Sequence, residues 1–197
     1  MVSDPIEEIS YYDLGQVCTF CKTKDPFGEL SNMTAGFPLL VNNVSIRTVE
    51  ALYQAMRFPE FPYIQKIIID QKSPMSAKKV AYKFIASGII REDWDKVRVD
   101  IMDWCLKLKL KQNPHFAQIL LSTGNKPIVE YSPKDEFWGA KMTETYHSLG
   151  NFFKTQYRGA NVLGKLLTRL RDNFGALENE PIPPEIPDFL FYNSQIL

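Results

Sequence analysis

The sequence contains few of the residues from which common catalytic sites are built. Of its 197 residues, two are histidines and three are cysteines, so acid or base chemistry must mostly fall to carboxylates or lysines. The sequence also has no G-x-x-x-x-G-K phosphate loop, no G-x-G-x-x-G after a strand, no G-x-S-x-G elbow and no H-E-x-x-H pair. These absences weigh against nucleotide kinases, dinucleotide oxidoreductases and the common hydrolase and metalloenzyme templates.

The cysteines do not indicate a disulfide framework or a metal site. Cys18 and Cys21 form half of a zinc or redox motif, and no second pair follows. A metal or redox function is therefore the weaker interpretation, and two small strand residues are the stronger one. We expect no metal and no cofactor, and this odd, sparse set of cysteines fits a reducing compartment.

Charge and hydropathy point to a protein without a general affinity for polyanions. Lys plus Arg and Asp plus Glu both number 23, so the formal net charge is zero and an anionic ligand must meet a local cluster of cations. No apolar stretch approaches the roughly 20 residues that cross a bilayer, and the acidic N-terminus lacks a signal-peptide pattern. We expect a soluble, unsecreted protein with no membrane partner, located in the cytoplasm or the nucleus.

The hydrophobic periodicity predicts an α+β fold, predominantly helical, in a single compact domain with a few short strands. Residues 1–16 are predicted to be a loosely held arm, 17–177 the domain, and 178–197 a proline-rich extended tail. A polar connection is expected before the last helix. The predicted helices span about 48–57, 63–70, 73–86, 91–112, 116–121 and 161–174, and the predicted strands lie within 17–20, 37–46 and 127–131.

Two of the predicted helices carry candidate catalytic side chains. Glu50 and Gln54 lie one turn apart beside an apolar stripe, where a partly desolvated carboxylate holds its proton more readily and can exchange it near neutral pH. By spacing alone, a solvated glutamate is the favoured alternative. On the third helix, Lys78 or Lys79 must lean toward the core, where a lysine could bind phosphate or attack a carbonyl or imine carbon. A surface ammonium is the favoured alternative there.

Aromatic residues beside charged ones are further candidates. Trp94 and Arg98, four residues apart, could pair an aromatic plane with a phosphate-binding fork, and Trp94 as plain core is an equal alternative. Asp135 and Trp138 lie in a charged loop. A tryptophan in such a loop commonly lines a pocket, where its ring can stack on a base or a sugar.

Taken together, seven blocks in order along residues 20–175 resemble one family, the NADAR domain, which includes the riboflavin-biosynthesis-intermediate N-glycosidases. Residues 27–32 (FGELSN) resemble its opening loop, and residues 49–58 (VEALYQAMRF) resemble its acidic helix. Departures from the family pattern at Met33, Val49 and Thr168 bear on base or substrate preference. The remaining blocks are 73–75 with 77–78, 91–94 with 97–98 and 102, 128–130, 135 with 138–139, and 159–171.

The resemblance implies hydrolysis of an N-glycosidic bond between ribose and an exocyclic nitrogen. Some members of the family cleave ribosylaminopyrimidine phosphates of the riboflavin pathway, and others remove ADP-ribose from guanine bases in nucleic acid. In both substrates the exocyclic amine can push the ribose ring open to an imine, which an amine nucleophile can capture. The first hypothesis is an ADP-ribosyl-guanine glycohydrolase, the second is the metabolic enzyme, and the third is a catalytically silent module that binds ADP-ribose-like ligands.

The resemblance also implies a role for each matching residue. Glu50 would handle protons at the leaving amine or the attacking water, Lys78 would bind phosphate or form a transient Schiff base, and Asp135 would orient the ribose. The expected partner is a substrate that contains ADP-ribose or ribose phosphate, with ADP-ribosylated nucleic acid included, and the oligomeric state stays open. The predicted substrate-binding residues are Phe27, Gly28, Ser31, Asn32, Gln54, Trp94, Arg98, Trp138, Gly139 and Asn161.

Overall fold

The computed structural model describes residues 5–147, 152–176 and 183–196. The backbone of these residues forms an α+β fold with more helix than strand, as the periodicity predicts. The helices are α1 (Val49–Ala55), α2 (Pro62–Ile69), α3 (Pro74–Ala86), α4 (Trp94–Gln112), α5 (Pro114–Ser122) and α6 (Val162–Asp172). The strands are β1 (Ser10–Asp13), β2 (Cys18–Phe20), β3 (Leu39–Val41), β4 (Val44–Ile46), β5 (Ile128–Glu130), β6 (Lys141–His147), β7 (Phe152–Gly159), β8 (Leu190–Phe191) and β9 (Ser194–Gln195).

The chain divides into two compact units. The first unit comprises Met1–Ser31 and Gln118–Phe174, and the second comprises Asn32–Ala117 and Gly175–Leu197. Each of the predicted helices overlaps one of the observed helices. In the parts of the chain that the structure describes, no helix is both long enough and apolar enough to cross a bilayer.

Small sheets, helix α6 and the end of α5 belong to the first unit. Strands β1, β7 and β6 form an antiparallel sheet in that order, and β2 pairs in parallel with β5. Helix α6 packs against β5. Tyr157 of β7 packs against Val129 and Ala140, and Tyr131 lies beside them, so the inward face of the hairpin forms part of the core of this unit.

The N-terminal segment differs from the expected loosely held arm. Residues 10–13 form β1, which pairs with β7 in antiparallel register. Ile6 is buried, and the Lys165 ammonium donates hydrogen bonds to the carbonyl oxygens of Ile6 and Glu8. The pairing partner is the β6–β7 hairpin, which lies where a polar connection was expected, so the sequence offered no strand for this segment to join.

Helix α1 is the centre of the second unit. Every residue of α1 is buried, and it packs against α2, α3 and α4. Strands β3 and β4 form a hairpin whose turn residues, Asn42 and Asn43, both have positive φ, at 47° and 62°. Two consecutive positive φ values match the type I′ geometry that asparagine tolerates.

The described part of the tail, 183–196, contains no helix. It ends in a short hairpin formed by β8 and β9. The ring of Phe189 packs edge-on against Trp104 of α4, and the Gln65 side chain donates to the carbonyl of Leu190 and accepts from the amide of Tyr192. The tail is therefore anchored to helices of the second unit.

Candidate active site

Local capping places Glu50 in the first turn of α1. The hydroxyl of Thr48, the residue before the helix, accepts a hydrogen bond from the amide of Ala51 at 3.2 Å, which is the usual N-cap interaction. The Glu50 amide donates to the carbonyl of Asn32 at 3.2 Å. Because α1 is buried on all sides, its first turn has no solvated face, and Glu50 is only 5% exposed.

The Glu50 carboxylate has partners from two helices. Its Oε1 accepts a hydrogen bond from Gln54 Nε2 at 2.9 Å and lies 3.9 Å from Lys78 Nζ on α3. The side chain of Lys78 is 40% exposed, so a partly exposed lysine is paired with a buried carboxylate. The spacing left open which lysine leans inward, and the structure selects Lys78, since Lys79 is exposed. The prediction that spacing alone favoured, a solvated glutamate at position 50, is wrong.

An arginine that was not among the predicted site residues lies near this pair. Arg57 follows the end of α1, is largely buried, and packs its guanidinium over three aromatic rings. The guanidinium carbon lies 4.1 Å from the ring centroid of Trp94, 5.5 Å from that of Tyr53 and 5.7 Å from that of Tyr82. These are cation–π distances. Burial lowers the pKa of Arg57, and attraction to the two phenols and to Glu50 opposes that shift.

Two of these three rings are themselves buried. The rings of Tyr53 and Trp94 lie 5.0 Å apart at 55°, and Trp94 is only 7% exposed. Burial also raises the pKa of the Tyr53 phenol well above its ordinary value. In this structure Trp94 is therefore a buried ring that packs against Arg57, and its pairing with Arg98 around a phosphate stays a prediction.

Asn32 and Arg98 are two further predicted site residues of the second unit. Asn32 Nδ2 donates to the sulfur of Met102 at 3.1 Å, and the side chain is buried. Arg98 lies one turn after Trp94 on α4, with Nη1 3.4 Å from the exposed carboxylate of Asp95. The second unit thus brings Glu50, Gln54 and Lys78 into direct contact, and Asn32 joins them through the backbone of Glu50.

Polar atoms without partners concentrate near Glu50. Within the described residues, the buried atoms Asn32 Oδ1, Gln54 Oε1 and Arg57 Nε have no hydrogen-bond partner. Such atoms are rare in folded proteins because each costs about 1–3 kcal/mol, and they often mark functional sites. Around Glu50, the cations Lys78 and Arg57 outnumber the carboxylate, so the charge here favours an anionic ligand.

In the first unit, the 27–31 segment is a tight loop. Phe27 has a left-handed backbone with φ of 61°. Gly28 is buried, and a Cβ on it would lie 2.5 Å from the carbonyl oxygen of Lys22. Ser31 is buried and its amide donates to the Gly28 carbonyl. The close approach of the backbone explains the glycine in this motif.

The other predicted residues of the first unit form one turn network. Asp135 Oδ1 accepts from the amides of Phe137 and Trp138, both at 2.9 Å. A Cβ on Gly139 would lie 2.5 Å from the Glu130 carbonyl oxygen. Asn161, fully buried with φ of 51°, accepts from the amide of Glu130 and donates to the carbonyl of Ile128. The Asn161 amide therefore ties the start of α6 to β5.

The two cysteines of the predicted half-motif lie in the first unit. Cys18 is buried and Cys21 is exposed, and both are free thiols. Burial raises the pKa of Cys18. Among the residues that the structure describes, no three His, Cys, Asp or Glu side chains are grouped to hold a metal ion.

Comparison with known proteins assigns the chain to a family. The family model of the NADAR domain matches residues 19–175, a stretch that includes segments of both compact units and all of the site residues described above. The chain belongs to the NADAR domain family. The family assignment that the seven sequence blocks suggested is thereby confirmed.

Relatives of this NADAR chain carry two kinds of name. The N-glycosidase YbiA of Shigella boydii is 30% identical over 156 residues, which cover 79% of this chain and 87% of that protein. The chloroplastic riboflavin biosynthesis protein PYRR of Zea mays is 31% identical over 176 residues, which cover 83% of this chain but only 26% of that protein. The NMR structure of Escherichia coli YbiA matches with a TM-score of 0.64 at 28% identity, covering 83% of this chain and 89% of that one.

Proposed function

We propose that this NADAR domain is an N-glycosidase that hydrolyses the bond between ribose and an exocyclic amine. The favoured substrate is ADP-ribosylated guanine in DNA or in nucleotides. The observation that carries the proposal is the buried Glu50 carboxylate, held by Gln54 and paired with Lys78. The name N-glycosidase of the Shigella boydii relative supports the same reaction class.

Glu50 is proposed as the group that moves protons. Its carboxylate is buried, so water competes weakly for it, and the Gln54 amide fixes one of its oxygens. In the direct route, Glu50 takes a proton from water, the oxygen forms a bond to the anomeric carbon, and the base departs with the exocyclic nitrogen. The same proton then returns to that nitrogen, which restores the carboxylate.

Lys78 is proposed in one of two roles. As an ammonium it binds a substrate phosphate. Alternatively, its neutral amine adds to C1 of the ring-opened imine, and the resulting aminal expels the base as a free amine and leaves a Schiff base between C1 and Nζ. Water then hydrolyses that bond to the aldehyde form of the ribose and returns the lysine. Glu50, 3.9 Å from Nζ, is placed to accept and return the lysine proton.

The remaining cations and amides are proposed to bind the substrate. Arg57 and Arg98 supply guanidinium groups suited to phosphate, and the amides of Gln54 and Asn32 supply neutral hydrogen bonds. Trp94, which the resemblance predicts as a substrate-binding residue, is proposed here to support Arg57, because the ring is buried under the guanidinium. The roles expected of the loop residues in the first unit stay predictions.

The second candidate is hydrolysis of ribosylaminopyrimidine phosphates. The name of the maize relative favours it, and the substrate presents the same ribose–amine bond and a phosphate. The charge around Glu50 serves either substrate, since both are anionic.

The test is a comparison of turnover on ADP-ribosyl-guanosine and on the ribosylaminopyrimidine phosphate, with free sugar measured by chromatography. Faster release from ADP-ribosyl-guanosine is expected, and the reverse order would assign the metabolic reaction. If neither substrate is hydrolysed but binding is measurable, the protein is a module that only binds ADP-ribose-like ligands.

A further inference from the structure

We propose that Tyr82 is the surface on which the leaving base stacks, so that this residue selects substrates whose exocyclic amine belongs to a planar heteroaromatic base. The inference rests on the proposed function, because it concerns the same site. It assigns a substrate contact to a residue outside the motifs quoted for the family.

Exposure separates Tyr82 from the other rings of the cluster around Arg57. Stacking requires an open ring face, and Tyr53 and Trp94 are 2% and 7% exposed. Tyr82 is 50% exposed. Of the three rings that contact the Arg57 guanidinium, Tyr82 is therefore the one with surface available to a ligand.

The position of Tyr82 on α3 places the ring beside the reacting groups. Tyr82 follows Lys78 by four residues, one helical turn, so the two side chains share a face of the helix. Lys78 Nζ lies 6.0 Å from the ring centroid of Tyr82 and 3.9 Å from Glu50 Oε1. The Lys78 ammonium therefore lies near both the ring and the carboxylate, and a base on this ring would have both groups in its neighbourhood.

The charges around the ring define the class of base. The Arg57 guanidinium and the Lys78 ammonium lie 5.7 Å and 6.0 Å from the ring centroid of Tyr82, so a base stacked on the open part of the ring would have two cations beside it, and cations attract carbonyl oxygens. Met75, half-exposed one further turn back along the same face of α3, extends the apolar surface with a polarisable thioether. A flat, carbonyl-bearing base fits this surface. Guanine and an aminopyrimidinone share that chemistry.

The test compares Tyr82→Leu, which keeps apolar bulk but loses the ring, with Tyr63→Leu as the matched control. Tyr63 is 55% exposed in the same unit, on α2. Loss of a base-stacking ring is expected to raise KM for ADP-ribosyl-guanosine about 5- to 100-fold, with kcat much less affected. Tyr63→Leu is expected to leave KM unchanged, and Tyr82→Phe is expected to rescue most of the loss. The same series on the ribosylaminopyrimidine phosphate shows which base depends more on the ring.

A binding arm separates this inference from the proposed function. Calorimetry with the Glu50→Gln protein measures affinity for ADP-ribosyl-guanosine and for ribose 5-phosphate without turnover. Tyr82→Leu in that background should weaken the first ligand and leave the second unchanged. If the parent protein releases no sugar while this binding pattern holds, only the proposed enzymatic function is refuted. Equal affinities with and without the ring, equal losses for both ligands, or no binding of either ligand would overturn the role of Tyr82.

Discussion

Replacing Glu50 with glutamine removes one buried charge and little else, because the two side chains have nearly the same shape. The carboxylate is 5% exposed, so solvent cannot readily substitute for it as a proton carrier. A positioned acid or base is worth about 10² to 10⁴ in rate, which corresponds to roughly 3–5 kcal/mol of activation free energy. We expect Glu50→Gln to lower the release of ADP-ribose from ADP-ribosyl-guanosine by that factor.

Substrate binding should respond in the opposite way. Glu50 pairs with Lys78, so its neutralisation leaves the ammonium more available to phosphate, and affinity should hold or rise. Turnover is measured by chromatography of the released sugar, and affinity by calorimetry. Glu60→Gln, at an exposed position in the same unit, is the matched control, and Glu50→Asp tests the charge if glutamine disturbs folding. Turnover within threefold of the parent in a folded Glu50→Gln protein would refute Glu50 as the proton carrier.

Three further predictions concern chemistry, pH and packing. Borohydride added during turnover should trap the ribose on Lys78, and an active enzyme that yields no adduct there would retain only the phosphate-binding role. Since burial raises the pKa of Tyr53, the native state keeps a proton that the unfolded chain loses above about pH 10. Urea titrations should therefore show that the free energy of unfolding falls as the pH rises above that value, and Tyr53→Phe should reduce this fall. The same pH dependence in the parent and in Tyr53→Phe would contradict the prediction. Gly139→Ala would place a Cβ 2.5 Å from a carbonyl oxygen, so it should lower the free energy of unfolding by about 2 kcal/mol or more in the same titration. Gly15→Ala, with open space around its Cβ, should lower it far less. Similar losses for the two variants would show that the backbone around Gly139 can shift to accommodate the Cβ.

Most of the helical framework could be predicted because its signals are local. Thr48 caps α1, and Ser73 followed by Pro74 opens α3 with the serine hydroxyl accepting from the amide of Ser76. Such caps satisfy backbone donors within a few residues of the chain. The start of a helix can therefore be found from neighbouring residues alone, and these predictions hold to within a few positions.

The β6–β7 hairpin could not be predicted in the same way. Its outward residues form ion pairs, such as Arg158 with Glu136 and Lys154 with Asp13. On its inward face, Tyr157 is buried but Phe153 is exposed. Thr155 of β7 and Glu144 of β6 lie opposite each other on the same face as Tyr157, so apolar residues do not recur at every second position as they do in a half-buried sheet. Missing this hairpin also concealed the partner of β1.

The site shows a similar division between local and tertiary information. The contact between Glu50 and Gln54 follows from their spacing on one helix. The cluster around Arg57 does not, because its rings come from α1, α3 and α4. Which rings are buried and which is open depends on how these helices pack, so the choice of Tyr82 over Trp94 as a stacking surface required the structure.

The burial of Glu50 and Arg57 is itself an argument for function. Taking a charged side chain out of water costs on the order of several kcal/mol, so the needs of the fold alone do not explain a carboxylate and a guanidinium buried inside one small unit. Here each is held by specific partners, Glu50 by an amide and an ammonium, and Arg57 by aromatic rings. Charged groups that are fixed in place with little water around them interact strongly with charge that develops in a transition state, and they do not need to rearrange when it develops. That property suits the proposed cleavage of a ribose–amine bond, whereas a purely structural core would gain nothing from it.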